Sequence, residues 1–203
     1  MDEQDSYFTI DKSGAAEYKD RGSKFIAFAY PVKTVEECKK RLEETKKLHP
    51  KATHHCYAYR LGTDKNIFRV NDDGEPSGTA GKPILGQIDS KRLTNVLVIV
   101  VRYFGGTLLG VPGLINAYKA AAALSLQVTA TVQKTIEIRY QIQFNYTQIN
   151  EVMMIIKQFQ CTVWEQDMNL FCRMTIGIPK ARLEEVVYRL KEIRGLEIML
   201  ELR

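Results

Sequence analysis

Six consecutive apolar residues near the middle of the chain, Val96 to Val101, constrain its fold more than any other segment. A strand that is apolar at every position, without polar alternation, is typical of strands buried on both faces. We therefore predict that Thr94 to Phe104 forms a central strand with packed layers on either side. The run is far shorter than the ~20 apolar residues that span a bilayer, so no membrane segment is predicted.

Two glycine-rich loops flank this strand, from Gly74 to Gly81 before it and from Gly105 to Gly113 after it. Glycine lets another molecule approach the backbone closely, which makes a ligand-binding surface the first hypothesis. The structural alternative is that the glycines permit tight turns and close helix packing, while nearby acidic residues cap backbone amides.

The first loop begins with an acidic group, Asp72, Asp73 and Glu75. Clustered carboxylates can hold a hard cation, but the spacing lacks the alternation of a calcium-binding loop. The pattern thus permits metal binding but is unspecific for it, and we assign no metal ligands.

The same loop carries Gly81-Lys82 but is not a nucleotide loop, because Pro76 and Pro83 occupy the positions of its required glycine and hydroxyl residue. Ser77 to Gly81 is predicted to lead into a helix, whose free amides would form an anion site.

The central strand ends in Arg102, Tyr103, Gly105 and Gly106. A cation, an aromatic ring and bare backbone at one point suit contact with a phosphate or a nucleobase. A helix rich in alanine, with Tyr118 early in it, is predicted from Leu114 to Val128.

Thr53 to Leu61 is predicted to be a strand by its aromatic and alternating content. Period two places His54, Cys56, Ala58 and Arg60 on one face, and His55, Tyr57 and Tyr59 on the other. His54 is a candidate base or metal ligand, and the candidate nucleophiles are Cys56, Ser77, Thr79 and Thr107. No spacing unites a nucleophile with a base.

The N-terminal third is predicted to hold a strand at Tyr7 to Ile10 and a hairpin that pairs Ala15 to Tyr18 with Phe25 to Tyr30. The polar hairpin end places Lys24 beside other basic residues. Thr34 and Glu37 form a capping box that starts an amphipathic helix, which Pro50 ends. A strand from Asn66 to Val70 then leads into the first glycine loop.

The pattern changes at Thr135, after which strands and helices follow in the order β-α-β-β-α-β. This order within about 65 residues predicts a ferredoxin-like unit. The predicted segments are Ile136 to Phe144, Tyr146 to Phe159, Cys161 to Glu165, Leu170 to Ile176, Lys180 to Ile193 and Leu196 to Leu200.

The excess positive charge lies in the first two thirds of the chain. Residues 1–135 hold 20 Lys and Arg against 15 Asp and Glu, whereas residues 136–203 hold nine of each. A modest positive balance suits RNA or an acidic partner. The four separated cysteines are predicted to be reduced thiols, and the polar N-terminus predicts no signal peptide, so a cytoplasmic protein is expected.

Three segments together resemble the IMPACT family, including its YigZ- and YvyE-like bacterial members. They are Ala52 to Tyr59, Asp72 to Pro83, and Val101 to Gly106 with its continuation through Tyr118. The resemblance implies an α+β protein with a ribosomal protein S5 domain 2-like domain at residues 1–133. It also implies a ferredoxin-like domain at 134–203 that is similar to the C-terminal domain of elongation factor G.

The resemblance further implies a regulatory binding protein in translation, with RNA, the ribosome or a translation-regulating protein as partner. It implies no catalytic residues and no cofactor. The candidate binding residues are Lys24, His54, Asp72, Asp73, Glu75, Ser77, Thr79, Lys82, Arg102, Tyr103, Gly105, Gly106 and Tyr118. The alternative hypothesis is a metal-assisted or phosphate-handling enzyme that uses the same cleft.

Overall fold

The computed structural model describes residues 5–201, which form two compact α+β units. Tyr7–Lys134 make the first unit, and the second comes mainly from the chain beyond it. Residues 1–4, on which the signal-peptide prediction partly rests, lie outside the described residues. The elements of the first unit are β1 (Ser6–Ile10), β2 (Gly14–Asp20), β3 (Ser23–Pro31), α1 (Val35–Leu48), β4 (His54–Leu61), β5 (Ile67–Asn71), α2 (Gly81–Ser90), β6 (Val96–Tyr103), α3 (Gly110–Gln127) and β7 (Thr131–Thr135).

The strand β6 lies at the centre of a five-stranded antiparallel sheet with the order β2-β3-β6-β4-β5. Its even-numbered residues, Val96, Val98 and Val100, pack into the same core as residues of α2 and α3. The odd-numbered residues, Leu97, Ile99 and Val101, pack into a second core that includes residues of α1. The prediction of a strand buried on both faces is therefore confirmed.

The helix α1 begins where its capping residues predict. The Thr34 side chain accepts a hydrogen bond from the Glu37 amide at 3.1 Å. The Glu37 carboxylate reaches back one residue further than in a standard capping box, since it accepts from the Lys33 amide at 2.7 Å. The first bond satisfies one of the orphan amides of the first turn, and the second satisfies the amide of the residue before the cap.

Two elements of the first unit differ from the predictions. The helix α3 begins at Gly110, four residues before the predicted start at Leu114. Pro112 is compatible with this start because a proline in the first turn of a helix lacks only an amide that would have no helical partner. The polar strand β7 was not predicted, and it pairs with β1 in a separate two-stranded sheet.

The second unit has the predicted order β-α-β-β-α-β, with two 3-10 turns before its helices. Its four-stranded antiparallel sheet has the order β11-β8-β10-β9, and the helices share its core. Its elements are β8 (Glu137–Asn145), the turn Tyr146–Gln148, α4 (Ile149–Gln158), β9 (Thr162–Met168), β10 (Phe171–Pro179), the turn Lys180–Arg182, α5 (Leu183–Lys191) and β11 (Glu197–Leu200).

All four cysteines are buried and free, as predicted for reduced thiols. Within residues 5–201, no helix combines the length and the apolar content needed to cross a membrane.

Candidate functional site

The buried carboxylate of Glu75 is the centre of a hydrogen-bonded network in the first unit. Its Oε1 atom accepts from Arg102 Nη1 at 2.6 Å and from the Tyr118 hydroxyl at 2.7 Å. His54 Nε2 lies 3.8 Å from the same oxygen. Glu75 belongs to the first glycine loop, Arg102 to the end of β6, and Tyr118 to α3. The network therefore joins four of the predicted site residues, which come from distant parts of the chain.

Arg102 is only 5% exposed, so its charge is directed inward. Its Nη2 atom lies 3.4 Å from the Ser23 hydroxyl, and its guanidinium stacks between the rings of Phe25 and Phe104 at 5.5 and 5.6 Å. Its Nε atom is buried with no hydrogen-bond partner within residues 5–201. Arg102 can therefore affect the binding of a partner only indirectly, by positioning Glu75 or Phe104.

Asp72 occupies the anion site that the sequence predicted at the start of α2. Its carboxylate accepts from the amides of Gly78, Ala80 and Gly81 at 2.8–3.0 Å. Burial alone would raise the pKa of Asp72, but these amide bonds outweigh it and hold the pKa below the ordinary value. The prediction of an open anion site is therefore wrong, because the protein's own carboxylate fills it.

Asp73 connects the first loop to the start of β4. Its carboxylate accepts from the His55 amide at 2.6 Å, and its backbone carbonyl lies 2.7 Å from His54 Nδ1. Because a carbonyl only accepts, Nδ1 must carry a proton. The other ring nitrogen, Nε2, is the one that lies 3.8 Å from Glu75 Oε1. The neighbouring His55 is buried, which lowers its pKa.

The carboxylates of the acidic group are already engaged by amides, Arg102 and Tyr118. Among the residues that the structure describes, no group of three or more His, Cys, Asp or Glu side chains has the arrangement of a metal site.

Cys56 is a poor nucleophile, since burial raises its pKa and the thiolate is the reactive form. Its thiol contacts the Asp72 carbonyl at 3.0 Å and the Tyr118 hydroxyl at 3.3 Å.

Tyr103 and Lys24 lie on the other face of the sheet, where they face each other across β3 and β6. The Tyr103 hydroxyl is 2.9 Å from His49 Nδ1, and Lys24 Nζ is 2.9 Å from Glu17. The expectation that Arg102 and Tyr103 together form one contact surface is therefore wrong, because consecutive strand residues point to opposite faces. The aromatic partners of Arg102 are Phe25 and Phe104 instead.

One glycine in each loop, Gly81 in the first and Gly105 in the second, is required by the protein's own packing. A Cβ atom on Gly105 would lie 1.9 Å from the backbone carbon of Gly22, and one on Gly81 would lie 2.8 Å from the Asn71 amide nitrogen. The Gly105 amide also lies 3.2 Å from the Ser23 hydroxyl. These contacts favour the structural interpretation for these two positions. Gly106 differs, because it has a positive φ and open space around it.

The predicted residues that remain open to a partner are fewer than the sequence suggested. Ser77, Lys82, Gly105 and Gly106 are exposed, and the partly exposed ones are Lys24, His54, Asp72, Asp73 and Tyr103. Thr79 is buried, and its hydroxyl donates to the Pro76 carbonyl at 2.7 Å.

Sequence reasoning missed Ser23 and Phe104 as members of this site. Phe104 is 49% exposed at the edge of the second loop. The spacing of Phe104 from Arg102 was the signal in the sequence. If the extended backbone continues, a residue two positions after Arg102 lies on the same face as Arg102. No local signal marks Ser23.

Comparison with known proteins gives consistent results. A family model described as the Impact N-terminal domain matches residues 21–126. YvyE, an IMPACT family member of Bacillus subtilis, is 36% identical over 76% of this chain and 71% of its own length. YigZ of Escherichia coli is 33% identical over 84% of each chain. A crystal structure of a hypothetical protein is similar over 98% of each chain, with a TM-score of 0.75 and 29% identity.

Proposed function

The chain belongs to the IMPACT family, and from that premise we propose that it is a regulatory binding protein that acts on translation. Its partner would be RNA, the ribosome or a translation-regulating protein, reached through the glycine loops of the unit Tyr7–Lys134. The positive charge balance of residues 1–135 supports contact with RNA or another acidic surface.

We also propose the finer fold assignments that the family resemblance implies. The first domain, residues 1–133, would have the ribosomal protein S5 domain 2-like fold. The second, residues 134–203, would be similar to the C-terminal domain of elongation factor G, an assignment supported by its sheet order β11-β8-β10-β9. A cytoplasmic location would follow from a role in translation, and it suits the four free cysteines.

The observation that carries the binding proposal is the Glu75 network. One buried carboxylate holds the first loop, the end of β6 and α3 in a single arrangement. A surface whose loops are held in place before binding loses less conformational entropy when a partner arrives. The exposed groups on these loops include the Phe104 ring, the Lys82 ammonium and the backbone of Gly106. An aromatic ring and a cation are the groups that bind an unpaired base and a phosphate.

Cosedimentation with purified ribosomes, and binding to a single-stranded RNA oligonucleotide, test this proposal across a salt series. If Lys82 contacts a phosphate, Lys82→Gln should weaken binding and reduce the slope of log affinity against log salt by roughly one. Lys39→Gln is the matched control, since Lys39 is an exposed lysine on α1, far along the chain from either loop. Equal slopes for the two variants would contradict a phosphate contact at Lys82.

The aromatic contact has its own test. Phe104→Ala should cost about 1–3 kcal/mol of binding free energy if the ring stacks on a base. Phe68→Ala removes an exposed phenylalanine from β5 and serves as the control. If Phe104→Ala binds ribosomes as tightly as the parent protein does, the ring does not stack on an unpaired base, and the result favours a protein surface as the partner.

A further inference from the structure

The second unit contains an open cavity of about 400 Å³ that the proposed function does not use. It lies where β8 runs into the turn Tyr146–Gln148, beside the turn that leads from α5 into β11. Its volume falls in the range of small-molecule sites, roughly 300–1,000 Å³. The residues that define its chemistry are Gln143, Asn145, Gln148, Phe171, Arg194 and Glu197.

The walls of this cavity are tied together by the Gln148 side chain. Its Oε1 atom accepts from the Asn145 amide at 3.0 Å, and its Nε2 atom donates to the Arg194 carbonyl at 2.6 Å. Gly195 turns the chain with a φ of +83°, a conformation that favours glycine. These contacts hold the turn at Arg194 and Gly195 against the end of β8, and Glu197 pairs with Gln143 of that strand.

Arg194 and Glu197 are both exposed, and both are unpaired within the described part of the chain. Neither side chain takes part in an ion pair or a hydrogen bond there, although both line the same cavity. The Gln143 amide, which faces Glu197 across β8 and β11, is likewise unbonded among residues 5–201. The lining thus offers one cation, one anion and an amide, with no net charge.

We propose that this cavity binds a small zwitterion, namely an α-amino acid with an apolar side chain. The guanidinium of Arg194 suits the ligand carboxylate, because its planar fork matches two carboxylate oxygens. The Glu197 carboxylate suits the ligand ammonium. The ring of Phe171, 63% exposed at the cavity wall, offers an apolar surface to the ligand side chain.

The charge balance of the lining favours this ligand class over its rivals. A phosphate would gain from Arg194 but would be repelled by Glu197, and a simple cation would meet the opposite pattern. A zwitterion gains from both groups at once.

Titration of the full chain with L-leucine, followed by backbone amide NMR, tests the proposal. We expect saturable shifts at Gly195, Leu196 and Gln143 with a Kd in the millimolar-to-micromolar range. The other proteinogenic amino acids, titrated in turn, rank the side-chain preference. Absence of saturable shifts at these amides with every amino acid would overturn the proposal.

Two variants with matched ligands separate the two charge contacts. Arg194→Gln should weaken leucine binding at least ~10-fold but leave leucinamide, which lacks the carboxylate, unaffected. Glu197→Gln should weaken leucine to a similar extent but leave N-acetyl-leucine, which lacks the ammonium, unaffected. Arg189→Gln and Glu184→Gln on α5 are controls, since both residues are exposed and lie outside the cavity. If the cavity variants bind leucine as tightly as these controls do, the assignment of the two contacts is refuted.

Discussion

Replacing Arg102 with methionine should destabilise the first unit strongly, because the change leaves the Glu75 carboxylate buried without its cation. The two side chains are 6% and 4% exposed, and their shortest contact is 2.6 Å. Removing one partner of such a pair costs about 3–5 kcal/mol, most of it the penalty of an uncompensated buried charge. Methionine retains much of the arginine volume, so the loss from a new cavity stays small.

The remaining partners of Glu75 do not replace the arginine. Tyr118 supplies one neutral hydroxyl, and His54 lies 3.8 Å away and partly exposed. A hydrogen bond to a charged group contributes about 1.5–3 kcal/mol, and the Tyr118 bond is already present in the parent protein. The expected loss of about 3–5 kcal/mol is therefore at least about a fifth of the typical stability of a domain, which is about 5–15 kcal/mol.

Urea unfolding followed by far-UV circular dichroism measures this loss. The chain's single tryptophan, Trp164, lies in the second unit, so comparing its fluorescence with the dichroism shows which unit's transition has moved. Arg60→Met is the matched control. Arg60 also pairs with a carboxylate at 2.6 Å, but its partner Asp89 is 42% exposed and stays hydrated after the change. We expect the lost ion pair to cost this control about 1 kcal/mol or less. The lost bond from Arg60 Nη1 to the Lys65 carbonyl, 2.6 Å long, should add about 0.5–1.5 kcal/mol, so the control should still lose less than Arg102→Met.

The double variant decides whether buried charge is the cause. Adding Glu75→Gln to Arg102→Met removes the stranded carboxylate, so the double variant should be more stable than Arg102→Met alone. If the two losses instead add, the destabilisation comes from packing and the reasoning about charge is refuted.

Three further predictions concern the first unit. The lowered pKa of Asp72 means that its stabilising contribution is fully present above the unfolded value of about 4 and is lost as the pH falls through the folded value. Asp72→Asn should therefore flatten the fall of the urea midpoint below about pH 4, and an unchanged pH profile would argue against the amide contacts. Gly105→Ala should lower the free energy of unfolding by about 1–3 kcal/mol or more because its methyl group would meet backbone. In contrast, Gly86→Ala in α2, where nothing lies within 4 Å, should raise it by up to about 1 kcal/mol, and similar effects at both positions would contradict this account. Cys56 has a pKa raised by burial, so iodoacetamide should leave it unmodified in the folded chain, as peptide mass spectrometry would show; rapid alkylation of the folded chain would contradict its burial.

The sequence alone predicted those features that depend on local pattern. The apolar run of β6 indicated a strand buried on both faces, and the hydroxyl of Thr34 with the carboxylate of Glu37 marked the start of α1. The alternation of the second unit predicted its β-α-β-β-α-β order. Periodicity and capping act over a few residues, which is why they can be recognised without the fold.

The tertiary structure alone decided which charges meet. Glu75 and Arg102 are 27 residues apart, and Tyr118 lies 43 residues from Glu75; no local pattern pairs them. The polar strand β7 likewise depends on β1, at the other end of the unit. The tertiary structure also decided what binds at the helix start at Gly81. Its free amides could bind an outside anion, but the fold places the Asp72 carboxylate against them. Long-range packing thus determined which predicted groups are engaged internally and which stay open to a partner.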